Sequence, residues 1–167
     1  MKTKKFVTVL GLLIVMGMTV SACSLNIERN PDGSLAVESN MTEASLQAEI
    51  TAAIADPLVH DLTADLRDGY VFVSAERDRV MSDETDTMTF RLDLGVGDGH
   101  LTATISDARL NDLPIEEARV AVWNERIATK LERAGQRNPD SKLQAVTISE
   151  DAITMVWRIE TARSRGG

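Results

Sequence analysis

Few side chains in this 167-residue chain are suited to catalysis or metal binding. Cys23 is the one cysteine, and His60 and His100 are the only histidines. The histidines fall on separate predicted strands, where either could serve as a general base but a solvated side chain is the simpler interpretation. The sequence contains no Gly-x-Ser-x-Gly, His-Glu-x-x-His or P-loop pattern. We therefore expect no catalytic residue, no metal site, no cofactor and no enzymatic activity.

Two groups of carboxylates and one glycine-rich segment were weighed as ligand sites. The carboxylates are Asp83, Glu84 and Asp86 in one group and Asp61, Asp65 and Asp68 in the other. Calcium requires six to eight oxygens at regular spacing, which the first group lacks, so it predicts a solvated loop. The second group is explained as well by separate positions on polar faces. Residues 95–99, with three glycines, lead into no helix and predict a hairpin turn instead of a phosphate loop.

The residues before Cys23 are typical of an export signal. Lys2, Lys4 and Lys5 are followed by an almost wholly apolar run over residues 6–18 and then by small residues. This order of charge, apolar core and small-residue site is that of a signal peptide. The apolar run is shorter than the ~20 residues of a membrane-spanning helix, so we expect residues 1–22 to be removed.

The motif Val20-Ser21-Ala22-Cys23 resembles the lipobox of bacterial lipoproteins. The resemblance implies cleavage before Cys23 and a diacylglycerol on its thiol, which leaves no free thiol in the mature chain. It also implies a location in the cell envelope, either in the outer membrane or on the outer face of the cytoplasmic membrane. The alternative is an ordinary secretory signal in which Cys23 is incidental.

The charge of the mature chain constrains its partners. Removal of residues 1–22 leaves 145 residues, the size of one domain, with 15 basic residues against 26 acidic ones and a formal charge of −11. Because phosphate binding depends on lysine and arginine, this balance predicts no nucleic acid partner. It also predicts that membrane attachment comes from the acyl chains without help from a basic patch.

The chain divides into a signal peptide, a linker, one domain and a tail. Residues 1–22 are the predicted signal peptide, and residues 23–40 are predicted to be the acylated cysteine and a flexible tether, since they are polar and show no clear apolar period. Residues 41–161 form the predicted domain, and residues 162–167 are a predicted disordered tail.

Two helices are predicted within the domain. The first spans residues 42–55, with Thr42 as its cap and an apolar stripe ending before Pro57. The second opens with Asp112 as a possible cap and Pro114 in its first turn, and ends near Gly135. Its predicted apolar stripe consists of Ile115, Ala118, Val122, Ile127 and Leu131, with Trp123 at the margin.

Six strands are predicted from alternation of apolar and polar residues. They start near residues 59, 70, 88, 100, 143 and 153, and short turns such as Asp68-Gly69 join neighbours. The order of helix, four strands, long helix and two strands predicts an α+β fold. We expect one antiparallel, strongly curved sheet of about six strands, wrapped on the long helix of the C-terminal half, with a short N-terminal helix.

This arrangement resembles that of the YceB-like, YpmS-like and LmeA-like envelope proteins, which are related to the tubular lipid-binding (TULIP) proteins. The resemblance is carried by the helix start at residues 41–46, by the strand, loop and Leu-Pro passage over residues 99–115, and by the closing strands over residues 143–159. It implies that sheet and long helix enclose an apolar groove for a lipid or similar ligand.

The large apolar side chains on alternating strand positions and on the long helix are the candidates for lining such a groove. They are Phe72, Met88, Phe90, Leu92, Leu94, Ile115, Val122, Ile127, Met155 and Trp157. The simpler interpretation is that the same side chains fill a closed core. Two functions therefore remain open: an anchored protein that binds a lipid or other hydrophobic ligand, and a tethered scaffold or protein-interaction module with a closed core and no small-molecule ligand.

Overall fold

The computed structural model describes residues 25–161, and the predicted signal peptide, Cys23 and residues 162–167 lie outside them. Two helices and nine strands follow one another along the chain. In order they are β1 (Leu25–Arg29), β2 (Leu35–Met41), α1 (Glu43–Ile54), β3 (Val59–Arg67), β4 (Tyr70–Asp78), β5 (Thr85–Gly97), β6 (His100–Leu110), β7 (Leu113–Pro114), α2 (Glu117–Gly135), β8 (Lys142–Ile148) and β9 (Ile153–Ile159).

The strands form two antiparallel sheets, which we call the terminal sheet and the central sheet. The terminal sheet has the order β1-β2-β9-β8, and the central sheet has the order β3-β4-β5-β6-β7. The predicted α+β class and all six predicted strands are confirmed. The prediction of one strongly curved sheet is wrong, because β8 and β9 pair with β2 and not with the central strands, and neither sheet is strongly curled.

The flexible tether predicted for residues 23–40 is also wrong over its described part. Residues 35–41 pair with β9 in continuous antiparallel register, with Val37 opposite Trp157 and Met41 opposite Ile153. Val37, Ser39 and Met41 are buried, so β2 alternates as a half-buried strand does. Ser39, at one of the inward positions, is polar, so the alternation of apolar and polar residues is not evident in the sequence.

The two helices begin and end close to their predicted limits. The Thr42 hydroxyl oxygen accepts a hydrogen bond from the Ser45 backbone N–H over 3.4 Å, which confirms the predicted cap of α1. Helix α2 ends at Gly135 as predicted, but it begins later than expected. Asp112 does not cap it, because Pro114 pairs with Arg109 in the short strand β7 before the helix starts.

Both sheets contribute to one hydrophobic core, covered by α1 and α2. Strand β8 connects the sheets, because its ends are bound to the tips of two hairpins of the central sheet. The Leu143 N–H donates to the Gly99 carbonyl oxygen over 2.7 Å, and the Gly69 N–H donates to the Ile148 carbonyl oxygen over 3.0 Å. Gly69 and Gly99 have φ values of 83° and 82°, which allow these tight turns without strain.

Candidate functional site

Most of the predicted groove residues lie in the interior. Six of them are at most 1% exposed: Met88, Phe90, Leu92, Ile127, Met155 and Trp157. Leu94 and Ile115 are partly buried against the same cluster. These residues come from both sheets and from α2, and they fill the space between the layers. In this conformation the six buried residues form part of a filled core, and Ile115 lines a surface depression at its edge.

Phe72 and Val122 do not belong to this cluster, contrary to the predicted groove. Phe72 is 40% exposed, because the inward positions of β4 are taken by Val71, Val73 and Ala75 and successive strand residues face opposite sides. Val122 is 45% exposed on α2.

Trp123 occupies the inward position of α2 that the sequence analysis gave to Val122. Trp123 is buried, and its ring centroid lies 6.1 Å from that of Phe90, a distance usual for packed aromatic pairs. Ile127 and Leu131 are buried as predicted, whereas at the first buried turn of α2 Trp123, predicted at the margin, takes the place predicted for Val122.

An open depression of about 630 Å³ lies between α1 and α2. Its apolar lining consists of Ala52, Ala53, Ala55 and Val122, and its polar lining consists of Glu125, Arg126, Thr129 and Lys130. Small alanine side chains on α1 leave this space between the helices. Apolar surface beside two cations suits part of an amphiphile with an anionic group.

The side chains of α2 also bind the free edge of β6. The Glu132 carboxylate accepts from the Leu101 backbone N–H over 2.7 Å, and the Asn124 side-chain oxygen accepts from the Ile105 N–H over 2.7 Å. His100 lies 2.9 Å from the other oxygen of Glu132. These contacts satisfy backbone donors at an edge that would otherwise be open for pairing with another strand. Because His100 binds the same carboxylate of Glu132, its role here is structural.

His60, the other histidine, lies between two aspartates on the surface. Its Nδ1 is 3.0 Å from Asp61 and its Nε2 is 3.0 Å from Asp78. The hydrogen bond with Asp78, followed by the one with Asp61, raises the pKa of His60 above its ordinary value of 6.5. Both ring nitrogens of His60 are engaged by carboxylates, which leaves neither free to accept a proton from a substrate.

His60, Asp61 and Glu76 are the one group among residues 25–161 with ligand atoms close enough to share a metal ion, all within 4.8 Å of one another. Asp61 and Glu76 are exposed to solvent. Both nitrogens of His60 are already occupied by carboxylates. The arrangement is that of an ion-paired surface histidine, and we assign no metal to it.

One end of the central sheet, which we call the apolar end, exposes three large apolar side chains. They are Val80 and Met81 in the loop between β4 and β5, which are 75% and 97% exposed, and Leu113 in β7, which is 72% exposed. Arg79, next to Val80, and Leu113 line the same depression of about 460 Å³. Large apolar side chains exposed at one end of a sheet make this end a candidate interaction surface.

A buried carboxylate holds the apolar end together. Asp86 accepts hydrogen bonds from the Arg79 guanidinium over 2.7 and 2.8 Å and from the Asn111 amide over 2.7 Å. Asn111 in turn exchanges hydrogen bonds with the Thr87 backbone over 2.6 and 2.9 Å. Arg79 also binds Glu84. The segment with Asp83, Glu84 and Asp86 was predicted to be a solvated loop. Two of these acids, Glu84 and Asp86, instead bind Arg79, and Asp86 also binds Asn111.

Comparisons of the chain with protein-family models, with curated proteins and with solved structures gave no match. Neither described helix is long and apolar enough to cross a bilayer.

Proposed function

We propose that the chain is a non-enzymatic lipoprotein of the cell envelope, anchored through an acylated Cys23, whose domain is a protein-interaction module. The anchor is inferred from the export signal and from the lipobox-like motif that ends in the single cysteine of the chain. The observation that carries the choice of an interaction module is the apolar end, where Val80, Met81 and Leu113 project from a fold whose core is filled.

The closed core favours an interaction module over a groove. An acyl chain that entered the core would have to displace side chains such as Phe90, Leu92 and Trp157. These side chains belong to one hydrophobic cluster and are at most 1% exposed. Burial of each such side chain stabilises the fold by about 1.5–3 kcal/mol. A ligand entering there would have to compensate for that loss, whereas a partner at the surface would not.

The apolar end is suited to docking because it is both exposed and held in place. Exposed aliphatic and methionine side chains contribute apolar area and adapt to a partner surface. The Asp86 hydrogen bonds fix the loop that carries Val80 and Met81 relative to the turn that precedes Leu113. A loop that hydrogen bonds already hold in one conformation loses less conformational entropy on binding than a mobile loop does. The partner is expected to be another envelope protein that presents apolar side chains.

Site-specific photo-crosslinking in cells tests the apolar end. A photoreactive residue at position 81 should give one defined protein adduct, and Leu113→Asp should remove it without loss of folding. The matched control is a photoreactive residue at Val96, which is also exposed and apolar but lies next to the hairpin turn at Asp98. Equal adducts at both positions, or none at position 81, would contradict the proposed docking surface.

Mass spectrometry of the N-terminal peptide tests the anchor. We expect the mature chain to begin at Cys23 with a diacylglycerol on its thiol, and we expect Cys23→Ser to release the protein from the membrane fraction. A mature protein with a free Cys23 thiol, or with an N-terminus elsewhere, would show an ordinary secretory signal.

A second candidate function is binding of a lipid or other hydrophobic ligand by the domain. The specific observation in its favour is the depression between α1 and α2, where Ala52, Ala53 and Val122 lie beside Arg126 and Lys130.

Native mass spectrometry with lipid extraction distinguishes the two candidates. A folded protein that carries no lipid and takes up none favours the interaction module. Lipid bound in a fixed ratio, and lost in a folded Val122→Asp variant, would favour the lipid ligand.

A further inference from the structure

Five arginines on the sheets each pair with a carboxylate: Arg67, Arg77, Arg79, Arg91 and Arg158. Within residues 25–161, three strand cations, Arg29, Arg109 and Lys142, form no ion pair, and neither do Arg119, Arg126, Lys130 and Arg133 of α2 or Arg137 after it. Four of these unpaired cations, Arg126, Lys130, Arg133 and Arg137, lie together in and just after the second half of α2, and we call them the cationic face.

The spacing of these cations aligns them along one side of α2. Arg126, Lys130 and Arg133 follow one another at i, i+4 and i+7, which places them on the same face of a helix. Arg137 follows two residues after the helix ends. Ile127 and Leu131, next to them in sequence, are buried in the core, whereas Arg126 and Arg133 are exposed and Lys130 is half-buried beside the depression between the helices.

The acids near the cationic face are few. Glu125 lines the depression that contains Arg126 and Lys130, and Glu49 lines the depression that contains Arg137. Glu132 is occupied by the Leu101 N–H and by His100. The two depressions are lined by three cations, Arg126, Lys130 and Arg137, against two carboxylates, Glu49 and Glu125, on a chain whose mature form carries a formal charge of −11.

The cationic face lies beside the point where the chain enters the fold. Leu25, the first residue of β1, pairs with Ser39 of β2. Ser39 lines one depression of about 300 Å³ together with Ala134 and Arg137. Two residues of extended chain span roughly 7 Å, so a strand that begins two residues after Cys23 holds the domain close to whatever Cys23 is attached to.

We propose that the cationic face lies on the membrane and binds the phosphate groups of anionic lipid head groups; this rests on the proposed acylation of Cys23. The acyl chains hold the domain at the bilayer, and the cations set which side of the domain faces it. Lysine and arginine near an anionic bilayer each strengthen binding severalfold. The acidic net charge predicts attachment without a basic patch, but net charge does not reveal how the charges are distributed over the surface.

Vesicle binding by the mature chain with Cys23→Ser tests the proposal, because this protein carries no acyl chain and keeps every residue of the described fold. The probes are phosphatidylcholine vesicles with and without phosphatidylglycerol, at low and high salt. We expect binding only to the vesicles that contain phosphatidylglycerol, and we expect high salt to abolish it.

The test variant is Arg126→Gln, Lys130→Gln and Arg133→Gln combined, and the matched control is Arg67→Gln, Arg91→Gln and Arg109→Gln on the central sheet. Both variants remove three positive charges, and circular dichroism checks that both are folded. We expect the test variant to lower the partition coefficient by about tenfold or more and the control to change it by less than about twofold.

Three results would overturn the proposal: no binding by the parent protein, equal binding by the test variant, or an equal loss in the control, which would point to net charge alone. A free Cys23 thiol in the peptide analysis would remove the anchor but leave this vesicle measurement unchanged. Failure of the anchor and failure of the cationic face are therefore separate results.

Discussion

The indole N–H of Trp157 donates a hydrogen bond to the hydroxyl oxygen of Ser39 over 3.1 Å, and both residues are buried. This contact joins the last strand of the fold to β2, the segment that the sequence analysis assigned to a tether. It lies within the β2–β9 pairing, in which Ser39 is opposite Met155. The N-terminal segment is therefore a structural part of the domain.

Ser39→Ala removes the acceptor and leaves a buried indole N–H without a partner. We expect the free energy of unfolding to fall by about 1–3 kcal/mol, measured by urea denaturation. Ser106→Ala on β6, which is only partly buried, is the control and should change it by less than about 0.5 kcal/mol. Equal effects in the two variants would show that the hydrogen bond contributes nothing.

Leu92→Ala and Ile127→Ala test whether the core is closed. Both side chains are fully buried, so each truncation should leave a cavity and lower the free energy of unfolding by about 2–5 kcal/mol. Val122→Ala, at a half-exposed position of the same helix as Ile127, should cost about 0.5 kcal/mol or less. Small losses at positions 92 and 127, together with altered lipid binding, would indicate an open groove.

Asp86 should make stability depend on acid pH. Hydrogen bonds from Arg79 and then from Asn111 hold the pKa of Asp86 below its ordinary value of 3.8. A carboxyl whose pKa is lowered by folding stabilises the native state above its unfolded pKa, and this contribution disappears as the pH falls through the folded pKa. Asp86→Asn should therefore destabilise the protein at neutral pH and flatten the acid side of the stability profile.

Asp83→Asn is the matched control for Asp86, since Asp83 lies in the loop just before β5, its replacement removes the same charge, and its side chain is exposed. Urea denaturation across a pH series measures both variants. A profile for Asp86→Asn that parallels the parent at every pH would contradict the role of this carboxylate.

His60 should titrate above its ordinary range because of two carboxylates. Its raised pKa means that the folded state binds the proton more tightly than the unfolded chain, whose histidine pKa is about 6.5. The resulting stability is fully present below that value and is lost as the pH rises through the folded pKa. Asp78→Asn should lower the pKa of His60, and Asp61→Asn should lower it less, since the Asp78 hydrogen bond is the larger cause.

Proton NMR of the His60 ring measures this pKa in the parent and in both variants. His60 is assigned by comparison with His100→Gln, which leaves a single histidine in the chain. An unchanged pKa in Asp78→Asn would show that the contact with Asp78 is absent in solution.

The elements that the sequence predicted correctly are those defined by neighbouring residues. Thr42 marks the start of α1 because a cap acts on the first turn that follows it. Asp98-Gly99 marks the β5–β6 turn because both residues adopt positive φ, with values of 55° and 82°. The six predicted strands and the α+β class follow from the same kind of local period.

The predictions that failed concern orientation within an element. In β4, Val71 and Phe72 are both apolar and adjacent, so alternation alone does not say which of them faces inward. The register decides, since Val73 pairs with the buried Phe90 and thereby turns Phe72 outward. In α2 the same ambiguity between Val122 and Trp123 is decided by contact with Phe90.

The sequence by itself determined the helices, six strands, the hairpin turns and the motif around Cys23, because each depends on residues that are close along the chain. The tertiary structure decided that β2 joins β9 across more than 110 residues and that two sheets share one filled core. These features depend on pairing and packing between segments that are distant along the chain, so the residues adjacent in sequence do not predict them.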